Sequence, residues 1–175
     1  MKRLSKDDLW KGIIEELFKD FMIYFFPNHY HQIDFEKGFE FLDKELRGIL
    51  PDSENKNRRV DKLVKVWLKD GREEWLLIHI EVQGYQDADF DYRVYHSYYR
   101  IRDKYNKRVG IFVIYTDKNK SYHPQSYEEE CFGTKVKLTF PTYKVLDHPP
   151  QENAPNDNPF SVVMEAVWYE IQKFQ

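Results

Sequence analysis

The tripeptide Glu81-Val82-Gln83 closes the apolar run WLLIHI, and Asp61 opens a second run, DKLVKVWL. Two carboxylates brought close repel unless they share a cation or a proton. An oxygen-rich site of that kind suits Mg²⁺ or Mn²⁺, and the backbone carbonyl of Val82 would complete the protein ligands. Such an ion polarises a phosphoryl oxygen and lowers the pKa of a bound water. Gln83 has the strand parity of Glu81, which suits it to orient an attacking water or hold a phosphate oxygen. The plain alternative is two acids on the solvated face of a hairpin. Against that stands the placement of a carboxylate at the end of a hydrophobic strand, which is costly unless the group is paired or metal-bound.

A hairpin must position these groups. Val60, Val64, Val66 and Leu68 alternate with polar or aromatic neighbours, KDGRE follows as a turn, and Leu76, Ile78, Ile80 and Val82 then share one face. Pairing Lys69 with Glu73 around a three-residue loop sets Asp61 directly opposite Glu81, with Cβ atoms about 4.5–5.5 Å apart. A strict two-residue Asp70-Gly71 turn would put the two acids on opposite faces. The metal reading therefore expects an odd-numbered loop or a bulge.

Around the hairpin, residues 7–26 place Trp10, Ile13, Ile14, Leu17, Phe21 and Tyr24 on one helical stripe that Pro27 stops. HQIDF reads as a short strand and FEKGFEFLDKELRGIL as a helix. A helix over about 89–105 follows the hairpin, then a buried strand over 109–115, then one or two strands in KVKLTF and TYKVL. The order implies an α/β fold with a mixed sheet flanked by helices. The expected organisation is one domain over 1–147, a proline- and asparagine-rich linker over 148–159, and a C-terminal helix over 160–175 in what reads as a truncated chain.

The 175 residues are 41% hydrophobic and 17% aromatic, which suits a folded domain and excludes a disordered or fibrous chain. Cys131 is the only cysteine, so no intrachain disulfide forms, and a cytoplasmic setting fits. No signal peptide or membrane-spanning run is read. The net charge of −3 weighs mildly against a phosphate-binding surface, but Lys56, Arg58 and Arg59 form one basic cluster. Arg100, Arg102, Lys104, Lys107 and Arg108 form another. Tyr92, Tyr95, Tyr98 and Tyr99 ring one helix, and packing is preferred over base stacking for them.

The run from Asp61 through the hairpin to Glu81-Val82-Gln83 resembles the Rpn (YhgA-like, transposase-related) branch of the PD-(D/E)XK nuclease superfamily. So do DLWKGIIEELFKDFMIYFFP, QIDF…EFLDKEL, the helix with Arg93 and Tyr95, and VGIFVIYTD, so that the resemblance spans about 7–117. It implies a restriction-endonuclease-like core and a Mg²⁺- or Mn²⁺-dependent DNA endonuclease related to transposition or recombination. Asp61, Glu81 and Gln83 would be the catalytic residues, and Asp61, Glu81 and the Val82 carbonyl the metal ligands. The third motif residue is usually lysine in that superfamily, whereas the Rpn-like branch shares the glutamine seen here. Superfamily members often carry a further acid on the first helix, and Glu15 is the residue placed to supply it. Arg93, Arg58 and Arg59 are the DNA-contacting candidates. DNA is the expected partner, with no membrane, and double-strand cutting suggests a homodimer. The competing readings are a catalytically silent nuclease-fold module that binds DNA or protein, and an interaction protein using its aromatic surface.

Overall fold

The apolar stripe at the start of the chain folds as two helices, α1 (Lys6–Glu16) and α2 (Phe18–Phe25), with Leu17 at the break. The computed structural model describes residues 6–49, 59–81, 88–150 and 157–173. The break keeps its backbone bonds: Leu17 N–H donates to Ile13 at 2.9 Å and Phe21 N–H to Leu17 at 2.8 Å. HQIDF is not a strand. It forms a 3-10 turn over Tyr30–Gln32, after which Ile33 bridges Leu68. The helix expected in FEKGFEFLDKELRGIL is likewise replaced by a strand, β1 (Phe39–Phe41), and a short helix, α3 (Asp43–Arg47). The reason is tertiary. Strand β1 pairs with β2 (Arg59–Trp67), Phe39 opposite Val66 and Phe41 opposite Val64, and both rings pack on Phe18. A chain with weak helical preference becomes a strand where an open sheet edge offers backbone partners and a half-buried face.

Strand β2 continues into β3 (Glu73–Glu81), then α4 (Phe90–Tyr105) and β4 (Val109–Tyr115). A hairpin of β5 (Ser126–Cys131) and β6 (Thr134–Thr139) follows, then β7 (Thr142–Lys144) and α5 (Pro159–Lys173). The main sheet has the order β1-β2-β3-β4-β7. Strands β1, β2 and β3 are antiparallel, whereas β3, β4 and β7 are parallel. This is a mixed α/β fold with helices on both faces. One face carries Val64, Val66, Leu76, Ile78, Phe112 and Ile114 against α1, α2 and α5. The other carries Leu63, Trp75 and Leu77 against α3 and the C-terminal half of α4, and Ile111, Val113 and Tyr115 against its N-terminal half. Helix α5 is seated in the first core through Phe160, whose ring lies 5.3 Å from Phe21 and 5.5 Å from Phe25. Among the described residues no helix is long and apolar enough to cross a membrane.

Both hairpin turns depend on left-handed residues. In the β2–β3 hairpin, Leu68 N–H donates to Arg72 at 2.8 Å and Gly71 N–H to Leu68 at 2.9 Å, leaving the three-residue loop Lys69-Asp70-Gly71. Gly71 has φ 88°, the left-handed position that ends such a loop. Asp70 accepts from Arg72 N–H at 3.0 Å and fixes the turn further. At the β5–β6 tip, Phe132 (φ 48°) and Gly133 (φ 83°) form a two-residue loop with both residues left-handed, and the Phe132 ring is fully exposed. A bulky residue in that conformation costs roughly 1–2 kcal/mol. Phe132→Asn is therefore expected to stabilise the protein by about 1 kcal/mol, read from the urea midpoint. An unchanged or lower midpoint would show that the ring contributes contacts that offset the strain.

Candidate functional site

The three-residue loop decides where the acids fall. Its odd length keeps positions 61 and 81 on one sheet face, the face covered by α4. The register differs by one pair from the expected one, because Leu68 and Arg72 close the loop, not Lys69 and Glu73. The direct partner of Asp61 is His79, and that of Glu81 is Arg59. Asp61 and Glu81 are thus diagonal positions and not opposed ones, and such positions lie roughly 7–8 Å apart. Carboxylates are the donor type that Mg²⁺ or Mn²⁺ takes, and the register sets the two positions on one face, one diagonal apart; the side chain of Glu81 lies outside the described residues.

Two cross-sheet rows define the neighbourhood. One runs Arg59, Glu81, Tyr115, Lys144 across β2, β3, β4 and β7; the adjacent one runs Asp61, His79, Val113, Thr142. Both lie at the carboxyl ends of the parallel strands β3 and β4, where open α/β sheets bind ligands. The Tyr115 ring is buried there, with Phe90 of the first turn of α4 5.6 Å away and its hydroxyl donating to Pro124 at 2.6 Å. Asp61 is half-buried.

The other expected site residues are placed unequally. Val82, Gln83 and Arg58 lie outside the described residues, as does Lys56. Arg59 starts β2 beside Glu81. Arg93 lies in the first turn of α4, its guanidinium 5.8 Å from the centre of the Phe90 ring. Glu15 is taken elsewhere. Its carboxylate pairs with Lys62, which has the opposite strand parity to Asp61 and faces α1. It therefore does not join Asp61, because the sheet lies between them. The second basic cluster is also committed: Lys107 pairs with Glu73 at 3.0 Å and Arg108 with Glu74 at 3.2 Å. Arg100 donates to the Ile49 carbonyl and Arg102 to that of Lys107 at 3.0 Å. These contacts lie at the hairpin-turn end of β3, away from Glu81.

Two buried lysines were not anticipated. Lys62, 1% exposed, binds Glu15 and, at 2.8 Å, Asp43, with Phe41 5.0 Å away. It ties α1 and α3 to β2. A signal existed: Lys62 interrupts the apolar parity of Val60, Val64 and Val66. Lys144, also 1% exposed, binds Asp117 at 2.5 Å and donates to the Tyr122 carbonyl at 3.2 Å. The signal here resembles that of Glu81, an acid just past an apolar strand, in VGIFVIYTD. Beside this pair, His123 shares a 2.7 Å hydrogen bond with the Thr142 hydroxyl. Burial holds its imidazole below the usual range, Asp147 opposing.

Among the described residues no group of three or more His, Cys, Asp or Glu is gathered as a metal site. No protein-family model matches the chain, and neither a curated protein nor a solved structure does so.

Proposed function

We propose that this chain is a metal-dependent nuclease with a restriction-endonuclease-like core, hydrolysing phosphodiester bonds in DNA in the manner of the Rpn-like proteins it resembles. The observation that carries the reading is the shared face of positions 61 and 81 at the carboxyl end of β3, reached through an odd-numbered loop. Asp61 and Glu81, with the Val82 carbonyl, would hold Mg²⁺ or Mn²⁺. When bound, the ion supplies charge stabilisation at a phosphoryl oxygen and a water of lowered pKa. The chain's own residues do the rest. Gln83, neutral and able both to donate and to accept, orients the attacking water or a phosphate oxygen, and cannot replace the charge of a lysine. Arg59, the register neighbour of Glu81, and Arg58 and Arg93 bind the backbone phosphates. Tyr115 and Phe90 close the floor of the site to solvent. Cutting both strands of a duplex would bring two copies together.

Plasmid nicking tests this reading. Supercoiled DNA is expected to relax with Mg²⁺ or Mn²⁺ and to stay intact with EDTA. A second reading, a catalytically silent module on the same fold, is favoured by the net charge of −3 and by the capture of Lys107 and Arg108 in ion pairs. It predicts DNA binding indifferent to metal and no nicking at any protein concentration.

A further inference from the structure

Six large hydrophobic residues are exposed among the described residues, and two of them stand on one stripe of α4: Tyr92, 47% exposed, and Tyr99, 51% exposed. They are seven positions apart, two helical turns, and His96 lies between them with its ring stacked on Tyr92 at 5.7 Å. The stripe starts in the first turn of α4. That turn is anchored by Phe90 on Tyr115, the register neighbour of Glu81. The stripe thus leads away from the candidate site for about 10 Å along the helix.

Resting on the nuclease reading for the direction of the strand, we infer that this stripe is a track for unpaired nucleobases, and that the preferred substrate is single-stranded or locally opened DNA. Tyrosine and histidine rings stack on any base, which suits a track without sequence preference. Charge points the same way. Helix α4 carries Arg93, Lys104, Arg100 and Arg102, the last two also donating to the carbonyls of Ile49 and Lys107 and so keeping their charge, against Asp91 and Asp103, a local positive balance in an acidic protein. A backbone phosphate is attracted to such a surface. A second copy of this chain is the other occupant, and the oligomeric state of the alanine variants separates it from DNA. Tyr95 and Tyr127, stacked at 4.6 Å, brace the flank of the stripe where the β5–β6 hairpin meets α4.

The test is fluorescence anisotropy with labelled oligo(dT) and a labelled duplex, in EDTA and at low salt, so that no cleavage is needed. Wild type is expected to bind oligo(dT) more tightly than duplex. Tyr92→Ala/Tyr99→Ala should weaken oligo(dT) binding roughly 30-fold or more, Tyr99→Ala alone by about tenfold, and Tyr92→Phe/Tyr99→Phe by less than about threefold. Circular dichroism and the melting midpoint monitor folding. If the double alanine variant does not fold, Tyr99→Ala and the phenylalanine pair decide. Oligo(dT) binding unchanged by the alanine variants, equal loss in the phenylalanine pair, or a preference for duplex overturns the track. So does a change of oligomeric state in the alanine variants by light scattering, which would make the stripe a self-association surface. A protein that never nicks plasmid yet shows the expected binding pattern would keep the track and lose the nuclease.

Discussion

Asp117→Ala is expected to cost about 3–5 kcal/mol of stability, measured by urea unfolding, because it leaves one buried charge without its partner. Lys144 is the charge left behind. Its ammonium lies inside the sheet end, 2.5 Å from Asp117 Oδ2 and 5.5 Å from the centre of the Tyr115 ring, with the Tyr122 carbonyl as its other acceptor. Water does not reach it. Asp117 also accepts the Asn119 N–H at 2.9 Å, so its loss loosens the loop after β4 as well. A protein of this size is stable by about 5–15 kcal/mol, so the single substitution removes a large part of the whole. The double change Asp117→Leu/Lys144→Met removes both charges together and should cost far less. If the single and double variants lose the same amount, the pair is not the source of the effect, and the loop bond to Asn119 is.

Glu81→Gln is expected to lower the rate of plasmid cleavage by on the order of 10³-fold or more, the size of effect seen when a group aimed at transition-state charge is removed. The substitution keeps the shape of the side chain and removes its charge, so the fold should survive with an unchanged melting midpoint. Asp61→Asn should do the same, since in the proposed site neither carboxylate holds an ion alone. The two losses should not add, because residues that act as a unit lose most of their effect with the first substitution. Glu15→Gln is the contrasting case. Glu15 pairs with Lys62 on the far face of the sheet, so its substitution should lower stability and leave the cleavage rate of the folded protein unchanged.

How much of the fold and the site was legible in the sequence depended on whether a segment met its neighbours locally. The hairpin was legible because its alternation is long, and the loop parity came from the need to put two acids on one face. The register was not, because Lys69–Glu73 and Leu68–Arg72 both enclose three residues. Only the φ of 88° at Gly71 places the left-handed residue at the end of the loop and selects the second. Helix α4 and strand β4 were legible from their own periodicity and apolar run. Strand β1 was hidden, since FEF is a strand only by virtue of β2 beside it. Strand β5 was hidden for the opposite reason: SYEEEC has no apolar face of its own and is held largely by the ribbon, with Glu128 and Glu130 opposite Lys137 and Lys135. The pairing of Glu15 was not legible because its partner, Lys62, is a lysine in an apolar row, a departure from pattern whose meaning appears only when α1 and α3 close over it.

The central claim is that Asp61 and Glu81 share one divalent cation, and Mn²⁺ titration followed by electron paramagnetic resonance reads it without any substrate. The wild-type chain should take up one Mn²⁺, Asp61→Asn and Glu81→Gln should each lose that ion, and Glu15→Gln should keep it. A wild-type chain that binds no Mn²⁺, or one whose uptake is the same in all three variants, would contradict the claim.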